Sequence, residues 1–182
     1  MTADPEPISY WLREPGPTFE APLAGDTTAD VVIVGGGFTG LWTAIALTDT
    51  DRALRVAVLE ADTVSYGASG RNGGFCEASL THGLANGILH FPDELERLEQ
   101  EGVDNLRGLI EFTRTNGIDC DLEETGILAL ADQPYQADEF REWRDQAAEY
   151  GEALEFLDRD AAQAEVHSPL WHAGLYRPPG RD

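Results

Sequence analysis

The sequence contains no lysine. Its twelve cationic side chains are all arginine, set against 34 aspartates and glutamates, for a formal net charge of −22 on 182 residues. Schiff-base and Walker-type lysine chemistry are thereby excluded for this chain. A basic nucleic-acid footprint is excluded as well, because an acidic surface repels phosphate backbones, so no nucleic-acid partner is expected. Arginine without lysine on so acidic a chain fits two origins, a GC-rich coding sequence or a surface adapted to high salt.

Cysteine is scarce too. Cys76 and Cys120 are too few for a disulfide framework and lack Cys-x-x-Cys spacing, which points to a reducing compartment and to small buried side chains. The four histidines, His82, His90, His167 and His172, show no pairing at helical metal-ligand spacing, so no metal site is expected. Long apolar runs are missing. The longest candidate, Val31 to Leu47, is interrupted by three consecutive glycines after four apolar residues. It reads as strand, turn and helix, so no membrane partner is expected. The acidic, proline-broken start is unlike a secretory signal, and a cytoplasmic location is the expectation.

Along the chain, residues 1–29 read as an extended leader, with Tyr10-Trp11-Leu12 an isolated apolar cluster that must lie on something, and Pro15, Pro17 and Pro22 keeping the rest extended. Residues 30–90 read as a dinucleotide-binding part. Val31-Val32-Ile33-Val34 is an apolar β-branched run of the kind buried on both faces of a parallel sheet. A helix carrying Leu41, Ala44 and Ile45 on one face follows, and Arg55 to Glu60 is a second strand; together they make a βαβ unit. Residues 91–182 read as helices and a hairpin leading into a substrate domain. A helix is predicted between Phe91 and the cap Gly117, broken near Gly102. A β-hairpin is predicted with Ile118–Glu123 and Ile127–Ala131 flanking Glu124-Thr125-Gly126, then a helix from about Ala137 to Tyr150, a short helix after Asp158, and a strand at Ala173–Tyr176. The fold class is α/β, a Rossmann-like unit with a helical and β-hairpin insertion.

The chemistry concentrates at Gly35-x-Gly37-x-x-Gly40, at the strand-to-helix junction, with Glu60 twenty residues beyond at the end of the next strand. Gly35 permits the tight turn, Gly37 lets a pyrophosphate approach the backbone, and Gly40 lets the helix pack on the sheet. Free N–H groups at the helix start, around Phe38 and Thr39, and about half a positive charge there suit an anionic diphosphate. Glu60 can accept hydrogen bonds from the ribose hydroxyls of an adenosine, and its charge opposes a 2′-phosphate, which disfavours NADP. FAD and NAD share this ADP half, so the motif alone leaves both open.

A second cluster, Gly67-Ala-Ser-Gly-Arg-Asn-Gly-Gly74, begins seven residues beyond Glu60, on the carboxyl side of the sheet where such ligands sit. Ser69, Gly70, Arg71, Asn72, Gly73 and Gly74 are candidate cofactor contacts: glycines for close backbone approach, Ser69 and Asn72 as hydrogen-bonding groups, Arg71 as a cation for the diphosphate. Cys76, just after it, reads as a small packing residue rather than a flavin attachment point or a redox thiol. The acidic runs Glu94–Glu101 and Asp138–Asp145 read as solvated helix faces.

Taken with Ser9-Tyr10-Trp11-Leu12, Ala29-Asp30-Val-Val-Ile-Val-Gly-Gly-Gly-Phe-Thr-Gly-Leu-Trp42 and Glu60, this second motif resembles the FAD-dependent oxidoreductases of the D-amino-acid oxidase family, in particular the gamma-glutamylputrescine oxidase-like branch. The resemblance extends more loosely through Thr125-Gly126 and Phe156-Leu157-Asp158. It implies FAD as cofactor and oxidation of a C–N bond in a small-molecule amine or amino acid. In such a reaction hydride passes to the flavin, the imine hydrolyses, and oxygen or another acceptor restores the cofactor.

Members of that family are more than twice this long, and no third parallel strand is legible before Asp182. The expectation is therefore an N-terminal portion that binds FAD weakly, shows no turnover alone, and carries no assignable catalytic residue. The rival readings are a non-catalytic dinucleotide-binding module and an NAD-dependent dehydrogenase. The latter gives the cluster at Gly67–Gly74 no role.

Overall fold

The structure, a computed structural model, describes residues 9–13 and 20–179. The predicted leader at 1–8 and 14–19, and the last residues 180–182, lie outside the described residues. The chain divides into two compact units, 1–75 and 76–182.

The first unit is a βαβ element. Strand β1 (Val31–Val34) pairs in parallel with β2 (Val56–Leu59), Val31 opposite Val56 and Val34 opposite Leu59, with helix α1 (Phe38–Thr50) between them in sequence. Parallel pairing needs such a crossover, and a helix that turns its apolar side to the sheet supplies it. Leu41, Ala44 and Ile45, the predicted face, are half-buried, as is Leu47. At the opposite end of the strands, Arg55 grips Asp30 through Nη2 at 3.0 Å and Nε at 3.1 Å, an exposed fork of two charged hydrogen bonds.

The apolar pattern of β1, of the kind buried on both faces, is covered on one side only. Val31 and Ile33 are half-buried, but Val32 and Val34 are 54% and 85% exposed, and Leu59 on β2 is exposed as well. A sheet face is dry only where a second layer covers it. Among the described residues this parallel sheet has two strands.

The second unit opens with α2 (Leu84–His90) and α3 (Leu95–Thr115). Helix α2 was not legible in its glycine-rich stretch. It forms because Leu84 and Ile88, one turn apart, join a small core with Leu95 and Ala147, and because Gly87 admits the Leu95 side chain, which a Cβ there would meet at 2.6 Å. The expected break of α3 at Gly102 is also corrected: the helix runs through it. A Cβ at Gly102 would lie 2.9 Å from the Ala78 carbonyl oxygen, so this glycine serves a close approach. Helix α3 ends as predicted at Gly117, whose φ of +61° permits the reversal in which Ile118 N–H bonds the Thr113 carbonyl.

The predicted hairpin does not form. Strand β3 (Ile127–Ala131) pairs instead with β5 (Ala173–Arg177), antiparallel, and β5 also takes β4 (Glu155–Leu157) on its other side, giving the order β3-β5-β4. Residues 118–123 have no regular structure and are exposed. Gly126, at φ +78°, explains the apparent turn: a Cβ there would lie 2.3 Å from the Arg177 carbonyl oxygen, so the Thr-Gly pair marks where the chain crosses close to β5. A five-residue ladder against an apolar partner outweighs pairing with an acidic, exposed segment. Helices α4 (Gln136–Glu149) and α5 (Arg159–Glu165) accompany this sheet. Ala131, Phe140, Ala173 and Leu175 form its core, and Asp158 caps α5 by accepting from Ala161 N–H at 2.9 Å.

Candidate functional site

Everything singled out for cofactor chemistry lies in the first unit, where β1 runs into α1. Gly35 takes φ +104°, a backbone shape side chains resist, and donates its N–H to the Leu59 carbonyl at 2.7 Å. Gly40 is buried at the first turn of α1. A Cβ there would fall 2.0 Å from the Gly35 carbonyl oxygen and 3.3 Å from Ile33 Cγ2, so helix and hinge touch at this point because Gly40 has no side chain.

Glu60 leaves β2 and turns back to the hinge. Its Oε2 accepts the Gly36 N–H at 2.6 Å, and its Oε1 accepts from Ala61 at 2.9 Å and Asp62 at 3.1 Å. The Gly36 bond chiefly, then that from Asp62, holds this carboxyl below the ordinary glutamate range, with the Ala61 bond adding less than desolvation takes away. Glu60 is therefore an anion at neutral pH, fixed beside the glycine turn.

The second glycine cluster meets the first through one side chain. Ser69, within a 3-10 turn at Ala68–Gly70, accepts the Phe38 N–H at 2.9 Å, and a Cβ on Gly37 would sit 2.9 Å from the same hydroxyl oxygen. Phe38 and Thr39 are exposed at the start of α1, where the N–H groups of Thr39 and Gly40 find no acceptor among the described residues. A buried Gly70 packs its Cα against the Ser65 carbonyl, which a Cβ would approach to 2.2 Å, and Ser65 in turn donates its N–H to the Gly36 carbonyl at 3.0 Å.

The remaining candidates are occupied locally. Arg71 donates from Nε to the Tyr66 carbonyl at 2.7 Å and lies over the Tyr66 ring, 4.8 Å from its centre. Asn72 closes the loop on itself, donating to the Ser69 carbonyl at 2.7 Å and accepting from Gly74 N–H at 2.8 Å. Gly73 and Gly74 face Phe75 and Trp11. The Trp11 contact was missed in the sequence, where the only signal was an isolated apolar cluster in a polar leader. Cys76 and Cys120 are exposed, not buried as expected, and partial desolvation raises the Cys76 thiol above its ordinary value, so it carries no activated thiolate. Among the described residues no group of three or more His, Cys, Asp or Glu could hold a metal ion, and no helix is long and apolar enough to cross a membrane.

A strand, a glycine turn, a helix start and a carboxylate returned by the next parallel strand together define a dinucleotide-binding α/β unit. Residues 30–181 match the DAO family, described as FAD dependent oxidoreductase, and the chain belongs to that family; its cofactor is FAD. Gamma-glutamylputrescine oxidoreductase of Escherichia coli K12 is 34% identical over 161 residues, which cover 81% of this chain and 34% of that protein. Glycine oxidase of Geobacillus kaustophilus is 32% identical over 144 residues, covering 74% of this chain and 36% of the enzyme. A crystal structure of glycine oxidase from Geobacillus kaustophilus superposes with a TM-score of 0.62 at 26% identity over 83% of this chain and 39% of the other. L-Amino acid deaminase from Proteus vulgaris, at 21% identity and a TM-score of 0.60, shares the fold. The chain spans about a third of the length of the curated relatives it matches.

Proposed function

We propose that this chain carries the ADP-binding portion of an FAD site in an oxidoreductase that oxidises a C–N bond of a small-molecule amine or amino acid. The observation that carries it is the convergence on one hinge of Glu60, bonded to Gly36 N–H, and Ser69, bonded to Phe38 N–H. The names of two relatives, one for gamma-glutamylputrescine and one for glycine, support the substrate class.

The residues fit the group. A Cβ at Gly37 would fill the space between turn and loop, and the open N–H groups of Thr39 and Gly40 stand at the positive end of a 13-residue helix. In this reading Gly37, Thr39 and Gly40 hold the diphosphate by main-chain N–H groups, Phe38 adds its own where Ser69 releases it, and Gly35, whose N–H bonds the Leu59 carbonyl, shapes the turn. Gly36 and the other amides already take three of the roughly four acceptor positions of Glu60. One ribose hydroxyl fits without rearrangement; a second displaces the longest bond, from Asp62. Ser69 to Gly74 line the neighbouring wall, with Arg71 swinging from Tyr66 to add a cation. When bound, FAD would accept a hydride, and with it both electrons, from the carbon beside the amine, whose nitrogen loses a proton to leave an imine that water hydrolyses. The chain's own residues bind and orient that group, and none is assigned to catalysis.

The test is a titration of the purified chain with FAD and, separately, with NAD. Quenching of flavin fluorescence that saturates is expected with FAD only. Saturable binding of NAD with no binding of FAD would overturn the proposal.

A further inference from the structure

We infer that Ser9–Arg13 is a clasp, anchored by Trp11, that sets the conformation of the loop 67–74 and through it the cofactor affinity; this rests on the FAD reading above. Two leader residues, Ser9 and Trp11, engage the loop here, with Tyr10 packed on Trp11. The Ser9 hydroxyl donates to the Gly70 carbonyl and accepts the Trp11 N–H at 3.2 Å, capping its own turn, Tyr10–Leu12. Tyr10 meets Trp11 edge to face with ring centres 5.0 Å apart. Trp11 donates its indole N–H to the Asn72 carbonyl at 2.9 Å.

The Trp11 ring also occupies the place of a side chain on Gly74. A Cβ there would lie 2.6 Å from Trp11 Cζ2 and 2.9 Å from Cη2, and Gly74 has φ +82°. Glycine is thus required at Gly74 twice, for its backbone shape and for the indole. This accounts for the last glycine of the second cluster without any ligand.

What the clasp holds is the part of the molecule that needs holding. Glycines lose more conformational freedom on ordering than other residues, and four of the eight residues from Gly67 to Gly74 are glycine. The grip passes inward by contact. Trp11 holds the Asn72 backbone, the Asn72 side chain holds Ser69 and Gly74, and Ser69 holds the Phe38 N–H at the start of α1. A contiguous chain of packed and hydrogen-bonded groups of this kind is the physical route by which a remote segment can be coupled to a binding site, and the variants below measure whether it is. Trp11 is a positioning residue; nothing places it on the cofactor itself.

The experiment uses the full chain and Trp11→Ala, Trp11→Phe and Ser9→Ala. Amide hydrogen exchange without cofactor reads the loop, and quenching of flavin fluorescence reads the dissociation constant for FAD. Trp11→Ala is expected to speed exchange at residues 69–74 and at the Phe38 amide and to weaken FAD binding about tenfold. Trp11→Phe keeps a ring against Gly74 but loses the indole N–H, so it should recover part of both effects, while exchange in β1 and β2 stays at the parental rate in every variant, which general destabilisation would not leave unchanged. Ser9→Ala removes one hydrogen bond and should shift both readouts the same way about threefold, which decides the matter if Trp11→Ala does not fold. Parental affinity and exchange in these variants overturn the clasp, as does weakened affinity without faster loop exchange. Failure of the parent chain to bind FAD overturns the functional reading first, and is seen before any variant is compared.

Discussion

The Ser69 hydroxyl accepts the first N–H of α1, that of Phe38, at 2.9 Å, joining two glycine clusters that stand about thirty residues apart. Each cluster alone is a flexible stretch of main chain. Bonded together, they form one wall beside the anionic Glu60, and the geometry of that wall makes the following expectations concrete.

Gly40→Ala should be among the most damaging small substitutions in the chain. Its methyl would sit 2.0 Å from the Gly35 carbonyl oxygen, a backbone atom that cannot step aside. A loss of about 2–4 kcal/mol is expected, with FAD binding abolished. Gly108→Ala, at an exposed position of α3 with nothing within 4 Å, should instead gain about 0.5–1 kcal/mol. Thermal melting of the two variants beside the parent checks both signs.

Glu60→Gln should reveal its charge through pH. The folded-state pKa of Glu60 is lowered by the Gly36, Asp62 and Ala61 amides, so its stabilising contribution is present above the unfolded value of about 4.3 and lost as pH falls through the lower folded value. The melting difference between parent and variant should be constant from neutral pH down to about 5 and close at more acid pH. A difference that instead widens on acidification would show that the amides do not hold the carboxylate. FAD affinity should fall at neutral pH.

Glu99→Gln should behave oppositely. Desolvation first, then the neighbouring charge of Glu152, raises the Glu99 pKa, while a bond from Thr81 and the Arg177 charge pull it down less strongly. The parent's contribution from this group is complete below the unfolded value and lost as pH rises through the raised folded value. The variant should therefore melt higher than the parent at pH about 7, with the gain shrinking to nothing below pH about 4. Melting curves at the two pH values decide it.

Val34→Thr should cost less than about 0.5 kcal/mol, although Val34 sits in a wholly apolar strand. Its side chain is 85% exposed and has no packing to lose. A fall in melting midpoint matching about 1.5 kcal/mol or more would mean that this face of β1 is covered.

Much of the first unit was legible because its signals are local. A β-branched run, a glycine triplet, a helix face at Leu41, Ala44 and Ile45, and a glutamate closing the next strand each report on their own neighbours in sequence. Their spacing places Glu60 at the hinge, where it is found. The helix end at Gly117 was legible for the same reason, since a residue at positive φ after a helix is a backbone requirement. What failed was pairing at a distance. The hairpin at Thr125-Gly126 had the local marks of a turn, yet β3 found β5 more than forty residues later.

The sequence by itself determined where the chain turns, where helices stop, and that a glycine hinge with a facing carboxylate exists, because φ preference, charge and apolar period act over a few residues. Only the tertiary structure decided that Gly102 and Gly126 serve close approach, that Val32 and Val34 face outward, that Trp11 fills the space Gly74 leaves, and that Ser69 rather than Arg71 bridges to α1. Those outcomes depend on which surfaces meet, and steric exclusion between segments far apart in the chain has no signature at either segment alone.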